Sequence, residues 1–149
     1  MWLVDASPDI LKNSKFITDR INLTKKFRLS SSREATKKLA EKPALFGEIR
    51  QPSSSYIIIP KVSSENRKYI PIGILSANII SSGSALIVPK ASLFNLGILT
   101  SMMHTVWMKY TCGRMKSDYQ YSASIVYNNF PWPESPTAKQ KLTVEEKAQ

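Results

Sequence analysis

Apolar residues recur at helical spacing near both ends of this chain and at strand spacing through its middle. Ser7-Pro8-Asp9-Ile10-Leu11-Lys12 supplies an N-cap and then a proline at the first helical position, which predicts a short helix. From Ser14 to Arg28, Phe16, Ile17, Ile21 and Phe27 recur at near-helical spacing. Lys15, Asp19, Arg20, Lys25, Lys26 and Arg28 fall mainly elsewhere, so a longer helix with a basic far face is expected. Ser31-Ser32-Arg33-Glu34 matches a capping box and opens a third helix through Ala35, Leu39 and Ala40, which should stop before Lys42-Pro43.

After Pro43 the period changes. Leu45-Phe46-Gly47-Glu48-Ile49-Arg50 roughly alternates and reads as a strand, with Gly47 marking a bulge or a close backbone approach. Gln51-Pro52-Ser53-Ser54-Ser55 turns the chain into a strand at Tyr56-Ile57-Ile58-Ile59-Pro60, whose expected partner is Tyr69 to Leu75. Pro60 and Pro71 each lack a backbone donor and belong at strand ends, edges or bulges. Asn78-Ile79-Ile80 and Ala85-Leu86-Ile87-Val88 read as two further strands around Ser81 to Ser84.

Helix is expected again from Ser92 through Leu99, with Gly97 as a potential interruption, and then from Ser101 to Cys112. Met102, Met103, Val106, Trp107, Met108 and Tyr110 surround most of that last segment with bulky groups, which suggests burial or docking. Gly113 to Ser122 reads as a polar, aromatic loop and Ser124 to Tyr127 as strand-like; beyond Pro133 a frayed tail is expected. The fold class is α+β: basic N-terminal helices, a small mixed or antiparallel sheet with a hairpin, and a helical C-terminal segment. Three regions follow, 1–90, 91–133 packed upon it, and a disordered 134–149.

Charge narrows the partners. The 149 residues suit a single domain with a real core, and their net charge is +10. From Lys12 to Lys68 there are 14 basic and 5 acidic residues, so most of the excess lies there. Such a field favours polyanions, nucleic acid first and an acidic membrane surface second, with solubility charge as the plain alternative. The single Cys112 excludes an internal disulfide and suits a core position. No run approaches a membrane span, and Met1-Trp2-Leu3-Val4-Asp5 lacks the basic start of a signal peptide. A cytoplasmic location is expected, and the abrupt apolar opening suggests an excerpt of a longer protein.

Catalytic chemistry is sparsely supplied. His104 is the only histidine and sits between Met103 and Val106 in sequence surroundings that favour a packed ring. A hydrolase using Ser101 and His104 lacks an apparent acidic orienter or oxyanion loop. The five glycines stand alone, without a phosphate-cradling or dinucleotide motif. Asn129-Phe130-Pro131-Trp132 superficially resembles the Asn-Pro-Pro-aromatic motif of amino-methyltransferases, but phenylalanine replaces the first proline, and a structural aromatic-proline clamp is expected.

The crest Lys61-Val62-Ser63-Ser64-Glu65-Asn66-Arg67-Lys68 is richer in donors and acceptors. In extended backbone Glu65 and Arg67 project from one face. Arginine binds guanine O6 and N7, and a carboxylate accepts from cytosine N4, so the pair could span one G·C base pair. A neighbouring salt bridge is an equally available use of the same spacing. Lys25, Lys26, Arg28, Lys37 and Lys38 are candidate phosphate contacts.

Four longer stretches carry a resemblance. Phe46 to Pro52, Ile59 to Gly73, Gly97 to Ser101 and Ile125 to Pro133 resemble, in order, the target-recognition region of MmeI-like DNA methyltransferases, large bacterial restriction-modification enzymes. The resemblance covers most of Leu3 to Pro133. It implies a DNA-reading module and its helical neighbour, with double-stranded DNA and a methyltransferase domain or subunit as partners and no membrane. It also implies no cofactor in this chain, S-adenosylmethionine being expected for an adenine-N6 methyltransferase domain elsewhere. Within the family a pair two apart in the Ser-Ser-Glu-x-Arg segment reads a base pair, which assigns that role to Glu65 and Arg67. Arg33, Arg50, Lys61, Ser63, Ser64, Asn66, Lys68 and Tyr69 become candidate DNA contacts. The alternative is an interaction fragment that docks a methyltransferase subunit through the surface from Met102 to Tyr110, with DNA contact secondary.

Overall fold

Side-chain hydroxyls open most of the helices. In the computed structural model, which describes residues 1–149, Ser7, Ser14, Ser92 and Ser101 each accept a backbone N–H from the first turn of the helix that follows. The chain forms two compact units, Met1–Arg50 and Gln51–Gln149.

In the first unit, α1 (Pro8–Asn13) and α2 (Lys15–Leu29) are followed by α3 (Glu34–Lys38) and a tight 3-10 turn, Leu39–Glu41. Thr18 Oγ1 donates to Leu11 O at 2.9 Å and ties α2 to α1. The inward stripe of α2 is Ile17, Ile21, Thr24 and Arg28; Phe16 and Phe27, expected to face inward, are instead largely exposed. The expected capping box does not form. Arg33 is the N-cap of α3 and makes no side-chain cap bond. Ser31 Oγ accepts the Arg33 N–H in a local turn, and Glu34 pairs with Lys37. A serine that closes a turn on its own neighbours is not available to a helix. Leu45 to Arg50 is irregular rather than a strand, because no other segment pairs with it. Gly47 does allow the close approach expected there: a Cβ would lie 2.9 Å from Leu39 Cδ1.

The second unit holds two three-stranded antiparallel sheets. In one, β1 (Tyr56–Pro60) lies between β3 (Gly73–Leu75) and β4 (Ala85–Pro89), with Ile57 opposite both Ile74 and Val88. In the other, β6 (Asp118–Gln120) lies between β2 (Val62–Ser63) and β5 (Gly113–Met115). Ile57, Ile59, Ile70, Leu99, Met108, Tyr119, Tyr121 and Val126 form the core. Helices α4 (Leu93–Leu99) and α5 (Met102–Thr111) fall where the periodicity places them.

Four expectations change in this unit. Gly113 to Ser122 is mostly a β5–β6 hairpin, not a loop. Asn78 to Ile80 forms no strand: the Ile79 N–H closes a turn on Ser76 O, Gln51 Nε2 donates to Ala77 O and Ile79 O, and the Tyr56 hydroxyl donates to Ile79 O. Ala123–Tyr127 is a π-helical turn capped by Ser122, with Trp107 Nε1 donating to Val126 O. The expected tail contains α6 (Ala138–Ala148), opened by a capping box between Thr137 and Gln140 and packed on α4 at Gly97.

Candidate nucleic-acid interface

The crest leaves β1 and changes sheets. At the crossing, the Lys61 N–H donates to Ser84 O, and Lys61 O accepts the Tyr121 N–H at 2.8 Å. Val62 and Ser63 then pair with Gln120 and Tyr119. The hydrogen bond from Arg67 N–H to Ser64 O, 3.1 Å long, closes a four-residue turn, and Ser64 Oγ accepts the Asn66 N–H inside it. The Glu65 N–H reaches across to Asp118 Oδ1 at 3.3 Å, which fastens the turn to the neighbouring hairpin.

Glu65, Asn66, Arg67 and Lys68 are all exposed. The expectation that Glu65 and Arg67 share the face of an extended strand is therefore corrected: they occupy the second and last positions of a turn. The salt-bridge use of the pair is not realised either, since the ion pairs of the chain are Lys37–Glu34 and Arg50–Glu48. Both side chains are left with their hydrogen-bonding groups toward solvent.

The other candidates divide by what already holds them. Ser63 is buried, and its hydroxyl has no protein partner and is closed off from solvent. Arg28, a candidate for phosphate, is engaged within the protein: its Nη1 donates to Leu39 O and Lys42 O at 2.7 and 3.0 Å, and its Nη2 to Leu45 O at 2.8 Å. These bonds gather the three carbonyls that follow α3 around one guanidinium. Lys61 Nζ donates to Gly83 O at 2.7 Å, which leaves it two further protons. Lys37 and Arg50 sit in exposed ion pairs at 2.7 and 2.6 Å. Such pairs are worth about 0–1 kcal/mol and yield readily to a phosphate. Lys25, Lys26, Arg33 and Lys38 are exposed with no side-chain bond, and Tyr69 is half-exposed beside Lys68 Nζ, 5.5 Å from its ring centroid.

Sequence reasoning missed Asp118 as the brace of the crest. Its signal was weak, a short alternating stretch on either side of Lys116-Ser117, and the bracing bond joins residues 53 apart.

The groups suspected of catalysis are structural. Ser101 Oγ accepts the His104 backbone N–H as the cap of α5, while the His104 ring is fully buried with Nε2 2.9 Å from the Tyr121 hydroxyl and its centroid 4.6 Å from that of Phe130 in an edge-to-face pair. Burial pushes the imidazole pKa down to about 4 and the Tyr121 phenol up. A serine turned to its own helix and a ring closed off from solvent do not make a nucleophile and base. Asn129 Nδ2 donates to Ser124 O and Ile125 O, and Phe130 packs edge-on against Trp132, so this segment clamps the π-helical turn.

Comparison with known proteins agrees with this architecture. The family described as MmeI, target recognition domain, matches residues 1–134. DNA methyltransferase A of Bacillus subtilis (strain 168) is 40% identical over 146 residues, which are 98% of this chain and 16% of that protein. The Type IIL restriction-modification enzyme MmeI, solved in complex with DNA, is 42% identical over 99% of this chain and 20% of its own, with a TM-score of 0.91. The chain thus spans about a fifth or less of these relatives. With the family match reaching across nearly every element described above, this chain belongs to the MmeI target recognition domain family.

Proposed function

We propose that this chain is the sequence-reading module of a DNA adenine-N6 methyltransferase or of a fused restriction-modification enzyme, and that it performs no methyl transfer itself. The observation that carries this reading is the exposed Ser64–Arg67 turn, braced by Asp118 and holding an unpaired carboxylate and an unpaired guanidinium. Arg67 binds guanine O6 and N7 while Glu65 accepts from the N4 amino group of the paired cytosine. Each contact discriminates by about 1–3 kcal/mol. Asn66, Lys68, Tyr69, Lys61 and the Ser64 region flank that pair, and Lys25, Lys26, Arg33, Lys37, Lys38 and Arg50 supply the charge that grips phosphate.

The reaction uses S-adenosylmethionine, and the residues that bind it lie outside this chain. Gly47, Gly73, Gly83, Gly97 and Gly113 are scattered, and none follows a strand to open a helix as a nucleotide-type cofactor loop requires. The protein works in the cytoplasm on double-stranded DNA.

Exchanging the charges of the pair, Glu65→Lys with Arg67→Asp, in the enzyme that carries this chain will change the preferred base at one position of its target, read by methylome sequencing. An unchanged motif in an active enzyme overturns the role of the pair. The second reading, a docking fragment for a methyltransferase subunit, is favoured by the outer face of α5, where Met103, Val106 and Tyr110 are 64%, 43% and 87% exposed. DNA binding that is indifferent to salt would select it.

A further inference from the structure

The crest is not the only turn at its end of the molecule. β2 runs toward the crest and β6 runs antiparallel beside it, so the start of β6, where the β5–β6 hairpin turns, lies at the same end of the sheet as the Ser64–Arg67 turn. The Glu65 N–H bond to Asp118 joins the two turns directly. Together they carry the exposed cations Arg67, Lys68 and Lys116 and the carboxylates of Glu65 and Asp118.

Two features set the hairpin tip apart from an ordinary solvated turn. Lys116, its first turn residue, has φ 57°, in the left-handed region where glycine or asparagine is favoured and lysine is not. Residues held there persist only where their surroundings compensate, and they collect at functional sites. The compensation is visible. Arg114, directly opposite Tyr119, stacks on its ring with Cζ 4.1 Å from the centroid, and its Nη1 donates to Ser117 O at 2.9 Å, closing the turn. Lys109 Nζ approaches the same ring at 5.7 Å. A stacked arginine therefore fixes the turn, and the strained residue it supports is an exposed cation.

We propose that the β5–β6 hairpin is a second DNA-contacting element, in which Lys116 binds a backbone phosphate beside the base pair read at the crest and Arg114 acts as a positioning residue for it. The proposal rests on the DNA-reading function given above. A phosphate contact adjoining a base-reading turn fixes its register on the duplex without adding sequence information. The Asp118 bond makes that register common to both turns.

The test measures affinity for duplex DNA carrying the target, as a function of salt, with the complete protein that contains this chain. Lys116→Gln is expected to lower the log-log salt slope by about 0.9, one phosphate contact, and to leave the methylated motif unchanged. Lys116→Gly separates contact from folding: glycine relieves the left-handed strain, so the thermal midpoint holds or rises while affinity falls as in Lys116→Gln. Arg114→Lys, which keeps the charge but loses the planar stack, is expected to weaken binding as well. If wild type is salt-dependent and both Lys116 variants keep its slope, the hairpin's role is overturned and the reading of the crest stands. If the wild-type slope is near zero, both fall together. A changed motif in Lys116→Gln would overturn the assignment to phosphate.

Discussion

His104 occupies a position where burial has a measurable cost. The folded protein keeps its ring neutral down to about pH 4, whereas the unfolded chain takes up the proton near the ordinary imidazole value of 6.5. Between those values the unfolded state binds more protons, so stability falls as pH drops from about 6.5 to about 4 and levels off below that. The full loss is on the order of 3 kcal/mol, at 1.36 kcal/mol for each unit of displacement. A urea midpoint measured between pH 4 and 7 should follow that decline. His104→Gln, whose amide keeps a hydrogen bond to Tyr121, should flatten it; an equally steep decline in the variant would assign the pH dependence to other groups.

At the scale of elements, α6 depends on a single missing methyl group. A Cβ on Gly97 would lie 2.6 Å from Val144 Cγ1 and 3.1 Å from Val144 O. Alanine is the better helix residue by roughly 0.8–1 kcal/mol, but overpacking a close helix contact costs about 1–3 kcal/mol. The second effect wins and is local. Gly97→Ala should speed hydrogen exchange in Ala138–Ala148 while β1 stays protected; greater protection of α6 would mean that Val144 yields. The contrast between these elements shows what the sequence makes legible. Helix starts at Ser7, Ser14, Ser92 and Ser101 depend on residues three positions away and are readable directly. The Thr137-to-Gln140 box was equally local but lay in a polar stretch that composition assigned to a tail. Val62–Ser63 was not readable as a strand, because its only partner is β6, far along the chain. The crest residues were legible from their chemistry, the turn that presents them was not, and the fate of Arg28 depended on three carbonyls that no motif announces.

Across the whole molecule, a net charge of +10 is a poor guide to binding until each cation is assigned a task. α2 separates two tasks on one element. Arg28 lies on its inward stripe and spends its donors on Leu39, Lys42 and Leu45, while Lys25 and Lys26 are exposed with no side-chain bond. Removing either kind of cation lowers net charge, so a model in which DNA sees only the average field makes the variants alike. Discrete phosphate contacts make them differ. Lys25→Gln with Lys26→Gln should reduce the log-log salt slope of DNA binding by about 1.8, two contacts at about 0.9 each, with little change in thermal midpoint. Arg28→Gln should leave the slope near wild type and instead lower stability by about 1–3 kcal/mol, because three carbonyls lose a charged donor. Denaturant titration and salt-dependent binding on the same samples decide the matter. If Arg28→Gln reduces the slope as a lysine change does while stability is kept, the guanidinium leaves its carbonyls to meet DNA, and the division of labour along α2 is wrong.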